Sequence, residues 1–356
     1  MNFDMQFYKG KNVFITGHTG FKGTWLCAIL ASAGANVTGY SLGYPTFPSL
    51  FKLSGMGQRV ISVEGDIRDY DKLKEAFDAS GPEIVIHLAA QPLVRESYKN
   101  PADTYETNVM GTVNILECVR NSSSVKSFLN VTTDKVYLNK EWAWGYREID
   151  ELDGYDPYSN SKSCSELVTH SYQKCFFQER ETAISTARAG NVIGGGDFAK
   201  DRIIPDCVNA AIHHQPIIVR NPFSVRPYQH VLEPLFAYLM IAAMQYQDKN
   251  YQGYYNVGPD NNDCYQTGAL VDLFVRQWGE NLTWIDQRDG GPHEAGFLRL
   301  DCSTIKSIFG WNPVWNLSIA IEKVIEWSKC WISGGDIYAC MMKQIDEYSE
   351  AFNAAK

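Results

Sequence analysis

A hydroxyl, a carboxyl group and an amine follow one another at the end of an apolar stretch of this sequence. The segment FLNVTTDKVY begins with the strand-like run Phe128–Val131 and continues with Thr133, Asp134 and Lys135. In open α/β sheets, the carboxyl ends of strands face the crevice in which ligands bind. Groups of this kind transfer protons when they lie in such a crevice, and they are merely solvated when the segment is a surface loop. The three residues alone leave both interpretations open.

A tyrosine and a lysine form a second candidate pair. The segment YDPYSNSKSCSEL places Tyr158 and Lys162 four residues apart, on one face of a helix. A lysine cation one turn from a phenol stabilises the phenolate and lowers the tyrosine pKa, which is ordinarily about 10. Such a tyrosine accepts a proton from a hydroxyl group while the carbon gives up hydride. The alternative is a surface aromatic beside a solvated lysine; Tyr155 is a weaker candidate because no lysine follows it four residues later.

A glycine-rich loop near the N-terminus favours the catalytic interpretation of both groups. In VFITGHTGFKG, an apolar strand-like run precedes Gly17, Gly20 and Gly23, and a helix-like segment follows them. Glycines at this spacing permit a tight turn and let the backbone approach a pyrophosphate at a helix N-terminus, where free N–H groups favour negative charge. A plain turn rich in glycine is the alternative. The loop therefore predicts a dinucleotide site.

The elements that must position these residues alternate along the first half of the chain. Apolar runs separated by helical segments are typical of parallel strands that are covered on both faces, and we predict a Rossmann-type, doubly wound α/β sheet. The predicted strands are Asn12–Thr16, Asn36–Tyr40, Val60–Val63, Ile84–Leu88, Ser127–Val131 and Ile184–Ala187. The predicted helices are Phe21–Ala33, Asp71–Ala79, Pro101–Arg120 and Pro157–Glu179.

The second half of the chain differs in composition. Glycine, proline and asparagine become frequent after Ala187, which predicts a smaller α/β region that binds the substrate. We assign residues 1–187 to the dinucleotide-binding domain and residues 188–230 and 251–356 to the substrate region. A helix within residues 231–250 is expected to return to the sheet.

Composition excludes several classes of protein. Of the 356 residues, 45% are hydrophobic, which is typical of a globular protein, and no apolar run is long enough for a spanning helix. The N-terminus lacks a cleavable signal pattern, so we expect a cytoplasmic protein without membrane contact. The net charge of −9 argues against nucleic-acid binding, and the nine scattered cysteines predict reduced thiols and no metal site.

The spacing G-x-x-G-x-x-G resembles that of the extended short-chain dehydrogenases/reductases. The segments GDIRD, after the third strand, and HLAAQ, after the fourth, agree with this resemblance. The segment Tyr40-Ser41-Leu42 holds neither the acid that NAD binders of this superfamily usually carry for the ribose hydroxyls nor an arginine for a 2′-phosphate; NAD is favoured over NADP. The resemblance implies cofactor contacts from Gly17, Thr19, Gly20, Phe21, Lys22, Gly23, Asp66, Ile67, Leu88, Ala89, Ala90, Gln91, Asn108, Tyr158 and Lys162.

Within that superfamily, the Thr-Asp-Lys sequence resembles the nucleotide-sugar 4,6-dehydratases that act on CDP-glucose. The segments AAQPLVR, NKEWAWGYRE, RAGNVIGGGD and RPYQHVLEP extend the resemblance over nearly the whole chain. It implies that C4 of the sugar is oxidised, that water is eliminated across C5 and C6, and that hydride returns to C6, so that NAD is regenerated. Thr133 would hold the substrate hydroxyl beside Tyr158. Lys135 would remove the C5 proton and Asp134 would protonate the leaving hydroxyl; the residues themselves do not decide which of these two is the acid.

The resemblance also predicts contacts to the diphosphate-bearing substrate and a second copy of the chain. Substrate contacts are expected from Gln91, Arg188, Asn191, Arg226 and His293. A homodimer is expected through the helices at 101–120 and 157–179. The alternatives are a nucleotide-sugar 4-epimerase, which would have no use for Asp134 and Lys135, a 4,6-dehydratase for another nucleoside-diphosphate hexose, and a non-catalytic module that senses NAD(H).

Overall fold

The computed structural model of the chain describes residues 3–287 and 296–355. Seven strands form one parallel sheet in the order β11-β6-β5-β4-β1-β2-β3, and three further pairs of short strands, β10-β7, β12-β9 and β13-β8, lie outside it. In chain order the strands are β1 Asn12–Thr16, β2 Asn36–Ser41, β3 Ile61–Glu64, β4 Ile84–His87, β5 Ser127–Thr133, β6 Ala183–Ala189, β7 Val192–Ile193, β8 Ile217–Val219, β9 Val225–Arg226, β10 Gln229–His230, β11 Tyr254–Val257, β12 Tyr265–Gln266 and β13 Trp284–Asp286.

Helices connect these strands and cover the sheet. A π-helix, Glu106–Met110, joins α5 to α6 without a break in the helical path. The α-helices are α1 Phe21–Ser32, α2 Leu50–Leu53, α3 Tyr70–Ser80, α4 Val94–Lys99, α5 Pro101–Tyr105, α6 Gly111–Arg120, α7 Pro157–Phe176, α8 Ile203–Ile212, α9 Leu232–Gln247, α10 Thr267–Trp278, α11 Ser303–Phe309, α12 Leu317–Ile332 and α13 Ile337–Ala354.

The predicted Rossmann-type α/β fold is confirmed. All six predicted strands are present, with ends that move by one or two residues, and β5 and β6 both run two residues further than expected. The helix predicted over Pro101–Arg120 consists of α5, the π-helix and α6. The extensions of β5 and β6 matter for function, because they carry Thr133 and Arg188 within regular strand.

The sheet is apolar on both faces, as parallel sheets require. Ile15 and Leu129 point to a core shared with α1, α9 and α13, whereas their neighbours Phe14 and Phe128 point to a core shared with α3, α6 and α7. Because both faces of the sheet are buried, the strand sequences are continuously apolar and do not alternate between apolar and polar residues.

A second core belongs to the smaller region. It is formed mainly by α8, α10 and α12, with Cys207, Phe274 and Ile321 among its buried residues. The predicted helix at 231–250 is present as α9 and packs on the main sheet, where Gln245 donates a hydrogen bond to the Ser127 hydroxyl at 2.8 Å. The strand β11, which lies in the segment assigned to the substrate region, also joins the main sheet beside β6. The limits of the two regions stay a prediction.

None of the helices within the described ranges combines the length and apolar character that a bilayer-spanning segment needs.

Three histidines are buried at junctions between these elements. His18, His87 and His230 are each at most 1% exposed. Burial lowers the pKa of His18 to about 4 and the pKa values of His87 and His230 to about 3. All three rings are therefore neutral in the folded chain at neutral pH. Their neighbours are Ser41 and Ser62 for His18, Thr16 and Thr112 for His87, and Trp25 and Trp315 for His230.

These histidines predict loss of stability in acid. In the unfolded chain a histidine titrates near pH 6.5, above its pKa in the folded chain, so the unfolded state binds more protons as the pH falls. Stability present above pH 6.5 is therefore lost between pH 6.5 and about pH 4 for His18, and between pH 6.5 and about pH 3 for His87 and His230. At pH 5 each histidine contributes a loss of about 2 kcal/mol in the free energy of unfolding.

Urea denaturation at pH 7.5 and pH 5 measures this effect. We expect His87→Gln to reduce the difference between the two pH values by about 2 kcal/mol. The matched control, His213→Gln, replaces an exposed ring at the end of α8 and should leave the difference unchanged. An unchanged pH dependence in His87→Gln would contradict the assignment.

Candidate active site

The glycine loop forms a close contact with the loop after β4. Gly17 has a φ of +78°, and a side-chain Cβ at this position would lie 2.8 Å from the Ala89 nitrogen. A Cβ at Gly23 would lie 2.2 Å from the Gly17 carbonyl oxygen, so α1 also approaches the loop too closely for any side chain. No side chain caps α1 at Gly20. The backbone N–H groups of its first turn are thus left for an anion.

This loop opens into a cleft of about 1770 Å³ that runs along the carboxyl ends of the sheet strands. Its volume is sufficient for two nucleotide-sized molecules, since single ligand pockets are typically about 300–1,000 Å³. The sequence-predicted residues that line it are Gly17, Thr19, Gly20, Phe21, Lys22, Gly23, Ile67, Leu88, Ala89, Ala90, Thr133, Lys135, Tyr158, Lys162, Asn191 and Arg226.

Tyr158 and Lys162 face this cleft from the first turns of α7. The helix begins at Pro157, after the Asp156 side chain has accepted a hydrogen bond from the Ser159 N–H group at 3.0 Å. The phenol of Tyr158 hydrogen-bonds with Thr133. The ammonium group of Lys162 donates to the Val131 carbonyl oxygen at 3.3 Å. The end of β5 therefore fixes both side chains of the predicted pair.

The pKa values of this pair differ from expectation. Burial raises the pKa of Tyr158 to about 12, although its hydrogen bond with Thr133 acts in the opposite direction. Burial also lowers the pKa of Lys162 to about 8, while the charge of Glu166 raises it. The expectation of a tyrosine pKa below its usual value is thus wrong for the chain by itself, because desolvation of the phenolate outweighs the contributions of Thr133 and Arg202 that lower this pKa.

Asp134 and Lys135 contact each other at the end of β5. The ammonium group of Lys135 donates to Asp134 Oδ1 at 3.0 Å and to Asn191 Oδ1 at 3.1 Å. The Lys135 side chain is 28% exposed and reaches the cleft, whereas that of Asp134 is fully buried. Thr133 Oγ1 donates to the same Asp134 oxygen at 3.0 Å. One carboxylate oxygen therefore connects the predicted hydroxyl-binding residue to the predicted base.

Several cations surround this group. Burial lowers the pKa of Lys22 to about 7, and the charges of Arg202 and Lys162 lower it further. Arg202 also lines the cleft and pairs with Asp197 at 2.9 Å. Arg226 is 5% exposed and lines the cleft from β9. A cleft with this charge favours a ligand that carries phosphate groups.

Three residues that were predicted to contact the cofactor form hydrogen bonds within the protein. Gln91 accepts a hydrogen bond from the Leu93 N–H group at 2.6 Å, and its backbone N–H group donates to Asn108 at 2.8 Å. The carboxylate of Asp66 accepts bonds at 2.6–3.0 Å from Arg68. These side chains shape the loops that follow β4 and β3.

Arg188 is a correction to the expected substrate contacts. Its side chain is fully buried and forms an ion pair with Glu166 at 2.9 Å. Because β6 continues to Ala189, Arg188 lies within the strand and projects towards α7, whereas Asn191 lies beyond the strand and reaches the cleft. His293, another expected contact, lies outside the described residues.

Sequence analysis missed two charged residues at this site. Arg202 follows the glycine-rich segment GGGD, and nothing in its spacing indicated a cleft position. Glu166 lies four residues after Lys162 on α7, and this helical spacing was a usable signal. Among the described residues, no cluster of His, Cys, Asp and Glu side chains is arranged to hold a metal ion.

Comparison with known proteins agrees with this geometry. The family model of GDP-mannose 4,6 dehydratase matches residues 14–324. A CDP-glucose 4,6-dehydratase of Salmonella typhimurium is 46% identical over 98% of this chain and 99% of that protein. A probable dTDP-glucose 4,6-dehydratase of Sinorhizobium fredii is 27% identical over 88% of this chain and 92% of its own.

Solved structures share the fold at lower identity. A UDP-glucose 4-epimerase of Stenotrophomonas maltophila with bound NAD has a TM-score of 0.80 at 20% identity, covering 91% of this chain and 100% of that one. A dTDP-glucose 4,6-dehydratase of Bacillus anthracis in complex with NAD has a TM-score of 0.74 at 20% identity, covering 90% and 97%. Sequence and fold agree, and the chain belongs to the GDP-mannose 4,6 dehydratase family of extended short-chain dehydrogenases/reductases.

Proposed function

We propose that this chain converts CDP-glucose to CDP-4-dehydro-6-deoxyglucose and water. The observation that carries the proposal is the contact, at 3.0 Å, of the buried Asp134 with Lys135, which lines the same cleft as Tyr158 and Lys162. The relative that is 46% identical carries the same activity in its name. An elimination needs one group to take a proton and another to give one, and these two side chains are adjacent.

The residues of the glycine loop fit NAD. The approach of Gly17 to Ala89 and the uncapped first turn of α1 form a cradle for a pyrophosphate. Ile67 and Leu88 line the same part of the cleft. When bound, NAD would take up hydride from C4 of the sugar and return it to C6, and so be unchanged after each turnover.

Tyr158 would take the proton of the C4 hydroxyl group. Its pKa of about 12 has to fall when the site is filled. Lys162, one turn away and largely desolvated, is the cation placed to lower it. Thr133, which hydrogen-bonds with Tyr158, would hold the same substrate hydroxyl.

Lys135 would remove the C5 proton and Asp134 would protonate the departing C6 hydroxyl group. The amine of Lys135 reaches the cleft, as a base must. Asp134 Oδ2 is buried and makes no hydrogen bond with any described residue, so this oxygen has capacity for a proton or a substrate hydroxyl group.

The cations of the cleft would hold the diphosphate. Arg226 and Lys22 line it, and Asn191 supports Lys135 from the opposite side. Preference for cytosine over other bases rests on the relative from Salmonella typhimurium and not on a contact in this structure.

A homodimer through the helices at 101–120 and 157–179 is part of this proposal. Apolar side chains on these helices are exposed, with Met110 at 50% and Leu167 at 53%. A second copy of the chain would cover these two side chains, and the resemblance to dimeric members of the superfamily supports this interface. The cytoplasmic location expected from the N-terminal sequence stays a prediction.

Incubation with CDP-glucose tests the function directly. We expect a 4-keto-6-deoxy product without net formation of NADH, and preference for the CDP-sugar when dTDP-, UDP- and GDP-glucose compete. Formation of a galactose isomer would identify a 4-epimerase instead. Binding of NAD(H) without any product would identify a sensing module.

Substitution separates the roles of the acid and the base. Lys135→Met and Asp134→Asn should each lower turnover by about 10²–10⁴-fold, the usual contribution of a positioned proton-transfer group. Lys140→Met, a nearby exposed lysine, is the matched control and should retain activity. Exchange of solvent deuterium into C5 of the 4-keto sugar should disappear in Lys135→Met and persist in Asp134→Asn. The opposite pattern would reverse the two roles.

A pair of glycine substitutions tests the cofactor cradle. Gly17 and Gly10 have φ values of +78° and +73°, so alanine is strained at both positions, but a Cβ at Gly10 has no neighbour within 4 Å. Gly17→Ala should weaken NAD binding by at least about tenfold, since the loop must move away from Ala89. Gly10→Ala should bind NAD as the wild type does. Calorimetric titration with NAD compares them, and equal affinities would argue against the cradle.

A further inference from the structure

Glu166 lies in the interior of the protein, one turn after Lys162 on α7. Its side chain is fully buried. Four side chains contact its two oxygens: the hydroxyl groups of Thr132 and of Thr186, the latter at 2.7 Å, Nη2 of Arg188 at 2.9 Å and Nε2 of His170 at 3.2 Å. A buried carboxylate is stable only with such a complete set of partners.

These partners belong to the elements that carry the active site. Thr132 immediately precedes Thr133 in β5, and Thr186 and Arg188 are in β6. One carboxylate therefore connects the helix of Tyr158 and Lys162 to both strands. A shift of α7 along the sheet would break these hydrogen bonds together.

Arg188 extends the connection to the loop of the proton-transferring residues. Its Nη1 donates to the Tyr137 hydroxyl oxygen at 2.8 Å and to the Glu148 carbonyl oxygen at 3.0 Å. Tyr137 follows Lys135 by two residues, and its hydroxyl group donates to Asn256 on β11 at 2.6 Å. The planar guanidinium group bonds the carboxylate through Nη2 and the phenol through Nη1.

The network also determines the charge of the Glu166 side chain. Burial raises the pKa of Glu166, but the adjacent Arg188 more than compensates and holds it well below its usual range, so the carboxylate stays ionised. That charge raises the pKa of Lys162, which burial lowers to about 8. The other titratable groups near Lys162 are Tyr158 on its own helix, Lys22 on α1, His87 on β4 and Asp134 after β5.

We infer that Glu166, held by Arg188, is a positioning residue of the reaction: it fixes α7 against β5 and β6 and places a buried negative charge one helical turn from Lys162. The inference rests on the proposed function and adds a residue that does not touch the substrate. It also gives Arg188 a role in place of the substrate contact expected from the sequence.

The pH dependence of turnover distinguishes this role from a purely structural one. In Glu166→Gln the pKa of Lys162 falls, and the alkaline limb of the kcat profile should move to lower pH by about one unit. We expect kcat at pH 8 to fall about fivefold, because the protonated fraction of Lys162 falls from about one half to about one tenth, with KM for CDP-glucose within about threefold of the wild type. Glu166→Asp keeps the charge and should restore the position of the alkaline limb.

Two further variants keep the test decisive. Removing one member of a buried pair destabilises the fold, so the double variant Glu166→Gln/Arg188→Met removes both charges and is expected to fold. It should show the same shifted profile. The control, Glu233→Gln, alters another buried glutamate, on α9, that bonds to Tyr348 at 2.7 Å and lies outside the cleft lining. It should leave the profile unchanged.

The outcomes separate the two proposals. A wild-type profile in folded Glu166→Gln or in the double variant would overturn the role of Glu166 while the dehydratase stands. Absence of CDP-glucose dehydration by the wild type would overturn the proposed function and this role with it.

Discussion

Charged groups buried at the ends of β5 and β6 are the constraint on which the structure of this site depends. Asp134, Glu166 and Arg188 are each fully buried, and Lys162 is nearly so. Desolvation of a lone charge costs more than a small protein can offset, so each group needs a partner at hydrogen-bonding distance. Those partners lie on different elements. Satisfying the charges therefore fixes the position of α7, the two strands and the following loop with respect to one another.

The parallel sheet makes this arrangement possible. Because adjacent strands run in the same direction, the end of β5 and the end of β6 meet at one edge, and Thr133 is paired with Ala189 in the register. The glycine loop at the end of β1 opens onto the same edge. Epimerases and dehydratases share this framework, so the fold does not distinguish them. In the proposed function, the two residues that follow Thr133 make the distinction.

Much of this site could be predicted from sequence, because its strongest signals are local. Tyr158, Lys162, Thr133 and Lys135, which were predicted from local spacing, all line one cleft, and the buried Asp134 contacts Thr133 and Lys135. The burial of Arg188 could not be predicted, because the direction of its side chain depends on whether β6 ends before or after this residue. The ends of strands are poorly marked in apolar runs. The phenol pKa depended on burial, which no spacing reveals. The ion pair of Asp66 with Arg68 was not anticipated, and the predicted contact of Asp66 with the cofactor stays a prediction.

The two acceptors around Lys135 have a stereochemical consequence. Asp134 Oδ1 and Asn191 Oδ1 each take one hydrogen from its nitrogen, and the bond to Cε fills a third tetrahedral direction. A neutral amine has only two hydrogens, so its lone pair is confined to the one direction that remains. Under the proposed function, the nitrogen would thus be oriented before a sugar arrives, and Lys135 would abstract a proton from only one face of the hexose ring.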